Sequence, residues 1–228
     1  MVNETKIILN VLVLFLPLPL FWALFSQQNS RWIFQATKMN GDLKFFTIKP
    51  DQFTLVNPLL ALIVIPLFEF ILYPILAKLG LKSPLQKATL GGYFAALAFV
   101  ISALIENQID RKVLHILWLL PQFFIMTLGE ILIVIPLMQF SYTEAPNSMK
   151  SVLQSFRLLT IAFGNLIVAV ISGYKIVNSQ QNEFLIFAGL MLIDISLFGL
   201  LVKRYRSQNK IIDEINKNSI ENFEVTKL

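Results

Sequence analysis

Apolar side chains fill six long blocks of this chain, roughly 6–27, 53–77, 87–106, 113–140, 150–174 and 183–203, with short polar breaks between them. A helix needs about 20 apolar residues to cross the hydrocarbon core of a bilayer, and each block reaches that length. Within a block the apolar residues are continuous rather than alternating. Backbone in lipid must satisfy its own hydrogen bonds, so the pattern predicts helices and not barrel strands. The fold class expected is an all-α membrane protein of six transmembrane helices. The one long break, 28–52, contains "GDLKFFTIKP", whose alternation predicts a small hairpin outside the bilayer. After Lys203 the chain turns polar. The expected plan is a six-helix bundle over 1–206 and a polar cytosolic tail over 207–228 with one or two helical turns.

Composition fits this plan. Hydrophobic residues make up 56% of the 228 positions and charged residues only 14%, against about a quarter charged in an ordinary soluble domain. Mean hydropathy is +0.67. The first block does not read as a cleaved leader. Its basic start is a single Lys6 behind Glu4, its apolar run is too long, and no small-residue cleavage site follows, so a retained helix is expected.

Lysine and arginine in the breaks set the orientation. With the N-terminus inside, Lys6, Lys78, Lys82, Lys87, Lys150, Lys203, Arg204, Arg206, Lys210, Lys217 and Lys227 lie inside. Arg31, Lys38, Lys44, Lys49, Arg111, Lys112 and Lys175 lie outside. The excess favours both termini in the cytosol, in a multi-pass protein of the plasma membrane. The net charge of +5 then points to anionic lipid headgroups, and no basic patch with interleaved aromatics points to nucleic acid.

Several chemistries fall away. The chain has no cysteine and a single histidine, His115, which leaves no thiolate nucleophile and no basis for a metal cluster or a Ser/His/Asp arrangement. Glu69, Glu130 and Asp194 lie in three different blocks without a hydrolytic motif, so no enzyme and no cofactor are expected. Prolines recur inside the blocks, at 17, 19, 58, 66, 74, 121 and 136, and predict kinked helices of the kind that flex in transporters.

The candidate chemistry is therefore the polar residues inside the blocks: Asn57, Glu69, Glu130, Arg157 and Asp194. A charge at a helix centre costs about 2.5–3.5 kcal/mol on insertion scales, so such residues normally face a bundle interior or a watery cavity. His115, Trp118, Gln122, Met126 and Glu130 recur at steps of three and four and predict one polar, aromatic strip on a single helix. Gly129 beside Glu130 would let a ligand or another helix approach closely. Two readings of Glu130 stay open: a carboxylate lining a cavity and titrating or binding a cation, or a helix-packing carboxylate that is protonated or paired with Arg157. Arg157 itself can snorkel to the interface or form a buried pair.

Three stretches carry a resemblance: "PLPLFWALFSQQNSRWIFQATKM", "VNPLLALIVIPLFEFILYP" and "GEILIVIPLMQFSYTEAPNSMKSVLQS". They resemble the proton-coupled oligopeptide transporters, the POT branch of the major facilitator superfamily, over residues 10–205, and "FSYTEAPNSMKS" is the most specific of their motifs. The resemblance implies the second half of a twelve-helix carrier, helices seven to twelve. The large extracellular domain of animal members is absent where "ENQIDRKVLHILW" runs through. It implies symport of di- and tripeptides with protons, the proton being the coupling ion.

Residue by residue, Phe21 and Trp22 resemble cavity-lining aromatics. Asn57 resembles the amide that bonds the peptide backbone, and Glu130 the acid that takes the peptide's amino group. Gln122, on the same strip as Glu130, joins the candidate substrate-binding residues, and Glu69 and Arg157 are the candidates for gating or ion pairing. The chain departs from the family at Asn10, where an Arg would pair with an acid at Glu69. It departs again at Ser26, where an Asp is usual, and at Arg157, where a Trp lines the pocket. The Glu-x-x-Glu-Arg motif and the basic residues for a peptide carboxylate have no match. The expected partners are an N-terminal transporter half or a full-length relative. The alternatives are a non-transporting half-carrier that modulates such a relative, or an incomplete gene model.

Overall fold

The computed structural model describes the backbone of residues 2–78, 80–81, 83–145, 147–171 and 179–225. Side chains are described over the same stretches except 2–8, 147, 171 and 208–225. Six helical stretches among these residues are long and apolar enough to cross a membrane: Leu9–Thr37, Pro50–Lys78, Pro84–Ile109, Ile116–Glu144, Lys150–Val170 and Gln180–Ser207. They are called spans 1 to 6 below.

Span 1 is a broken helix that runs further than the 6–27 expected from hydropathy. Helix α1 (Val2–Phe15) stops at Leu16–Pro17, and α2 (Leu18–Phe25) resumes with Pro17 and Pro19 at its start. Proline carries no N–H, so it suits a first turn and interrupts a helix interior. The polar run Ser26–Asn29 does not end the helix but tightens it into a 3-10 turn, after which α3 covers Arg31–Thr37. Ser26 Oγ donates to the Trp22 carbonyl at 2.8 Å and Gln27 Nε2 to the Ala23 carbonyl at 3.3 Å. These side chains satisfy the backbone, which is how polar residues are carried inside a span.

The hairpin expected in "GDLKFFTIKP" is present only as a tight loop with an isolated Asp42–Thr47 bridge. Ile48 N donates to Gly41 O at 2.8 Å and Leu43 N to Phe46 O at 3.1 Å. A Cβ on Gly41 would meet the Ile48 carbonyl oxygen at 2.2 Å, so only glycine allows this closure. Asn40 fastens the loop to the stretch before span 4, through Asn40 N to Leu114 O and Ile116 N to Asn40 O, both 2.8 Å.

Span 2 begins with a 3-10 turn, Pro50–Leu55, and continues as α4 (Val56–Leu67). A π turn, Phe68–Leu72, and α5 (Tyr73–Lys78) complete it. Pro66 lies inside α4. Its missing donor loosens the ladder, and the π turn begins two residues later. Span 3 is the unbroken α6 (Pro84–Ile109). Span 4 opens with a 3-10 turn, Ile116–Leu119, and becomes α7 (Leu120–Glu144). Helix α8 (Lys150–Ile171) forms span 5.

Helix α9 (Gln180–Val225) forms span 6, and its backbone stays helical through the tail, well beyond one or two turns. Lys175, and the side chains of Lys6, Lys82, Lys210, Lys217 and Lys227, lie outside the described residues.

The core sits where α6 meets α7 and α9. Gly91 and Gly129 set the α6–α7 crossing: a Cβ on either would lie 2.6–2.7 Å from the other's carbonyl oxygen. Small residues at such a contact let two backbones approach and gain dispersion energy, the main attraction available between helices in lipid. Gly129 therefore admits another helix, which settles one question left by the sequence. Trp32 packs into this core against Phe99 and Phe123, with ring centroids 5.9 and 4.7 Å away. Burial is uneven among the spans. Of the apolar windows of spans 3 and 4, 56% is buried, against 17% for spans 2 and 5.

Candidate functional site

Glu130 lies near the middle of α7, half-buried, and faces α4. Its Oε2 accepts from Asn57 Nδ2 at 2.9 Å. Asn57 Oδ1 in turn accepts from the Thr127 hydroxyl, whose single proton is shared with the Phe123 carbonyl, 2.9 Å away. The sequence builds this triad simply. Thr127 stands three residues before Glu130 and so shares its face of α7. Asn57 stands in the first turn of α4, at the height where that face arrives. The network fixes the amide so that its NH2 points at the carboxylate, leaving Glu130 Oε1 and the second Asn57 N–H available to a third group. Chemically, a fixed donor beside a half-open carboxylate can meet a cation that also offers a hydrogen-bond acceptor.

Asn57 and Glu130 were reached separately from the sequence; the structure joins them. Thr127 was missed, although its position three residues before Glu130 was the signal available.

The single polar strip expected from His115 to Glu130 does not exist as such. His115 precedes the helix in an extended conformation, its Nδ1 accepting from Leu117 N at 3.3 Å and its Nε2 lying 3.1 Å from the Asp42 carbonyl oxygen. The 3-10 turn 116–119 then shifts the register, because three residues per turn and 3.6 do not keep one face. Trp118 is consequently exposed while Gln122 and Met126 are fully enclosed. Gln122 belongs to a different network. Its Nε2 donates to Gln35 Oε1 at 3.1 Å, and Gln35 Nε2 donates to the Ser102 carbonyl at 3.0 Å. These residues tie spans 1, 3 and 4 together in the core and lie away from the open side of Glu130. The sequence did not single out Gln35 or Ser102, since neither is charged nor set in a periodic pattern.

Phe21 and Trp22 are both buried, with ring centroids 5.1 Å apart edge to face, and Phe25 adds a third ring. Trp22 backs onto Gly164 of α8, where a Cβ would lie 2.6 Å from Trp22 Cβ and 2.8 Å from the Pro19 carbonyl oxygen. The Trp22 indole N–H is buried and has no hydrogen-bond partner among the described residues. Beside it, Ser26 Oγ lies 2.9 Å from Asn165 Oδ1, joining spans 1 and 5 through neutral groups where an acid would be expected from the family pattern.

Glu69 is exposed on the π turn of span 2. Arg157 is half-buried on α8 and donates from Nε to Gln154 Oε1 at 2.9 Å. The ion pairs among the described residues are Arg31–Glu183 at 2.9 Å and Lys38–Glu106, both at one end of the spans. Neither Glu69 nor Arg157 takes part in one, so the neutralisation of Glu130 by Arg157 is not made. Asn10 is exposed, beside Arg204 and Tyr205.

Asp194, unexplained by sequence, is 3% exposed on α9 and faces a narrow gap lined by Pro17, Phe21, Ala88, Ile133 and Leu137. No group of three or more His, Asp or Glu side chains among the described residues could hold a metal ion.

Comparison with known proteins gives this arrangement a context. The family profile described as PTR2, POT family, matches residues 1–193. "Peptide transporter family 1" of Drosophila melanogaster is 26% identical over 408 aligned positions, covering 92% of this chain and 55% of that protein. The alignment is far longer than the chain, so that relative carries a long insertion. "Solute carrier family 15 member 2" of Rattus norvegicus is 47% identical over 114 residues, 50% of this chain and 16% of that protein.

Among solved structures, the POT family transporter PepTSo superposes with a TM-score of 0.79 at 29% identity, over 91% of this chain and 43% of that one. An auto-inhibited POT family peptide transporter gives 0.79 at 30% identity, over 90% and 42%. The chain spans about half the length of the curated relatives it matches over most of its own length. The fold is six helices of a major-facilitator-type carrier, and the protein is a multi-pass membrane protein.

Proposed function

The chain belongs to the POT family, and on that premise we propose that it forms the C-terminal wall of a proton-coupled carrier of di- and tripeptides. The observation that carries the reading is the Asn57–Glu130 pair, a half-buried carboxylate with one oxygen free, braced by an amide that has a donor to spare. A peptide's free ammonium would meet Glu130 Oε1, and the second Asn57 N–H would meet a backbone carbonyl of the same peptide. Charge-assisted hydrogen bonds of this kind are about twice as strong as neutral ones, and the low dielectric of a closed site strengthens them.

A carboxylate left alone at membrane depth is costly, so departure of the ammonium favours its replacement by a proton. Peptide and proton would then compete for Glu130, so carrying both in one direction would need a second proton-carrying group on the other wall, with no cofactor. Phe21 and Trp22 would support the wall from behind, through their packing on α8, rather than touch the substrate. Gln122 would hold the core, and Glu69 and Arg157 remain the candidates for contacts across the opening. Both termini would face the cytosol, and the plasma membrane is the expected location.

Alternating access needs two walls rocking about a midplane site. The second wall would be an N-terminal transporter half or a full-length relative. Dipeptide uptake into vesicles with an imposed proton gradient tests this. Accumulation is expected when an N-terminal half is present, and none from these 228 residues alone. Accumulation by these residues alone would overturn the reading.

A further inference from the structure

At the end of the bundle where span 6 finishes and span 3 begins, α6 and α9 part to leave an open cavity of about 630 Å³. Two stripes line it at helical spacing, Gln86, Leu90 and Tyr93 on α6 and Val202, Lys203 and Arg206 on α9. Lys203 and Arg206 are exposed, and neither makes an ion pair or hydrogen bond with any described residue. Among the described residues no carboxylate lines the space. Glu144, a described acid of the same end, already accepts from the Tyr205 hydroxyl at 2.9 Å. Gln86 turns its carbonyl oxygen to the Ser83 N–H and keeps its amide N–H groups free.

The helix contact below the cavity is close. A Cβ at Gly199 would sit 3.2 Å from Thr89 Cγ2, so the two helices meet there and diverge beyond it. Further into the membrane, Leu97 on α6 and Leu197 and Leu200 on α9 are exposed and apolar.

We propose that this cavity binds the headgroup of an anionic phospholipid, with its acyl chains lying along the exposed leucines of α6 and α9. Two cations, unpaired among the described residues, and an amide lie at one end, and Tyr93 and an apolar surface lead away from them into the hydrocarbon. That gradient matches a lipid and matches no soluble anion. The guanidinium of Arg206 can grip a phosphate through two N–H groups while Lys203 adds a point charge. The lysine and arginine count puts this end in the cytosol, where the leaflet holds the anionic lipids and each basic residue near the surface adds appreciable attraction.

The test titrates the protein, purified in detergent at full length as its native gene yields it, with phosphatidylserine, phosphatidylcholine and inorganic phosphate. Bound lipid is counted by native mass spectrometry. Phosphatidylserine should bind at least tenfold tighter than phosphatidylcholine. Lys203→Ala with Arg206→Ala should weaken it about 30-fold, from two basic residues each contributing at the usual level for a cytosolic membrane surface. The charge-keeping pair Lys203→Arg with Arg206→Lys should retain most of the binding. If the alanine pair fails to fold, Lys203→Gln with Arg206→Gln provides the same reading. Equal binding of both lipids, or phosphatidylserine binding untouched by loss of the two charges, would overturn the proposal. Inorganic phosphate bound as tightly as the lipid would overturn it too, and identify a free-anion site.

Discussion

Spans 3 and 4 differ from spans 2 and 5 in the same way that a scaffold differs from a working surface. The first pair buries more than half of its apolar window within the chain, through the Gly91–Gly129 crossing. The second pair buries less than a fifth, yet it carries Asn57, Glu69, Arg157 and Asn165. In a bilayer an apolar face can lie against lipid at no penalty, but amides and charges cannot. Poor burial together with polar side chains therefore marks a face that meets water, substrate or a second set of helices. Glu130 sits at the seam, placed by a scaffold helix and opened towards the working one.

The largest effect should come from the scaffold. Gly129→Leu puts a branched side chain where even a Cβ would lie 2.7 Å from the Gly91 carbonyl oxygen. Overpacking by a methylene or two costs about 1–3 kcal/mol in a well-packed core, and this change is bigger. The expected result is loss of the monodisperse peak in detergent size-exclusion chromatography. A normal peak would mean that the α6–α7 crossing does not hold the scaffold together.

Next in size is Asn57→Ala, which removes a hydrogen bond to a charged group worth about 1.5–3 kcal/mol. In the assembled carrier, peptide affinity should fall tenfold or more, together with a fall in melting temperature from the lost Asn57–Glu130 bond. A comparable loss of stability without loss of affinity would move Asn57 from the working surface to the scaffold.

Asp194→Asn should act in the opposite direction. The carboxyl is 3% exposed in an apolar gap and has no hydrogen-bond partner among the described residues. Burying an uncompensated polar group costs about 1–3 kcal/mol by protein mutational measures, and the amide cannot ionise. A rise in melting temperature of a few degrees is expected, and a fall would show that the carboxyl has a structural partner.

The smallest effect belongs to the open spans. Leu62→Cys and Leu166→Cys lie at exposed positions of α4 and α8 and should change stability by less than about 0.5 kcal/mol. The chain has no native cysteine, so each would be a unique label. Accessibility to a thiol reagent should drop when the second wall is present, whereas the enclosed Leu132→Cys should stay unlabelled throughout.

Hydropathy made the six crossings legible, because length and continuity of apolar residues are local properties. It misplaced the end of span 1, since Ser26 and Gln27 satisfy backbone carbonyls within the helix and read as a break only by composition. Glu130 and Asn57 stood out as polar residues in apolar blocks, but their hydrogen bond joins positions 73 residues apart and has no local signature. The assumed continuous strip on span 4 failed for a related reason. A 3-10 turn at Ile116–Leu119 changes the angular step, and nothing in the residue pattern announces that turn. The Gln35–Gln122–Ser102 network was illegible because uncharged polar residues in a span do not reveal whether they point to a cavity or to each other.

The most direct test of the central claim compares a dipeptide with its N-acetylated form in the assembled carrier, for wild type and Glu130→Gln. The account predicts that wild type prefers the free amine by at least tenfold and that Glu130→Gln abolishes this preference, mainly by weakening the free dipeptide. Retention of the full preference in Glu130→Gln would contradict it and place the amine receptor elsewhere.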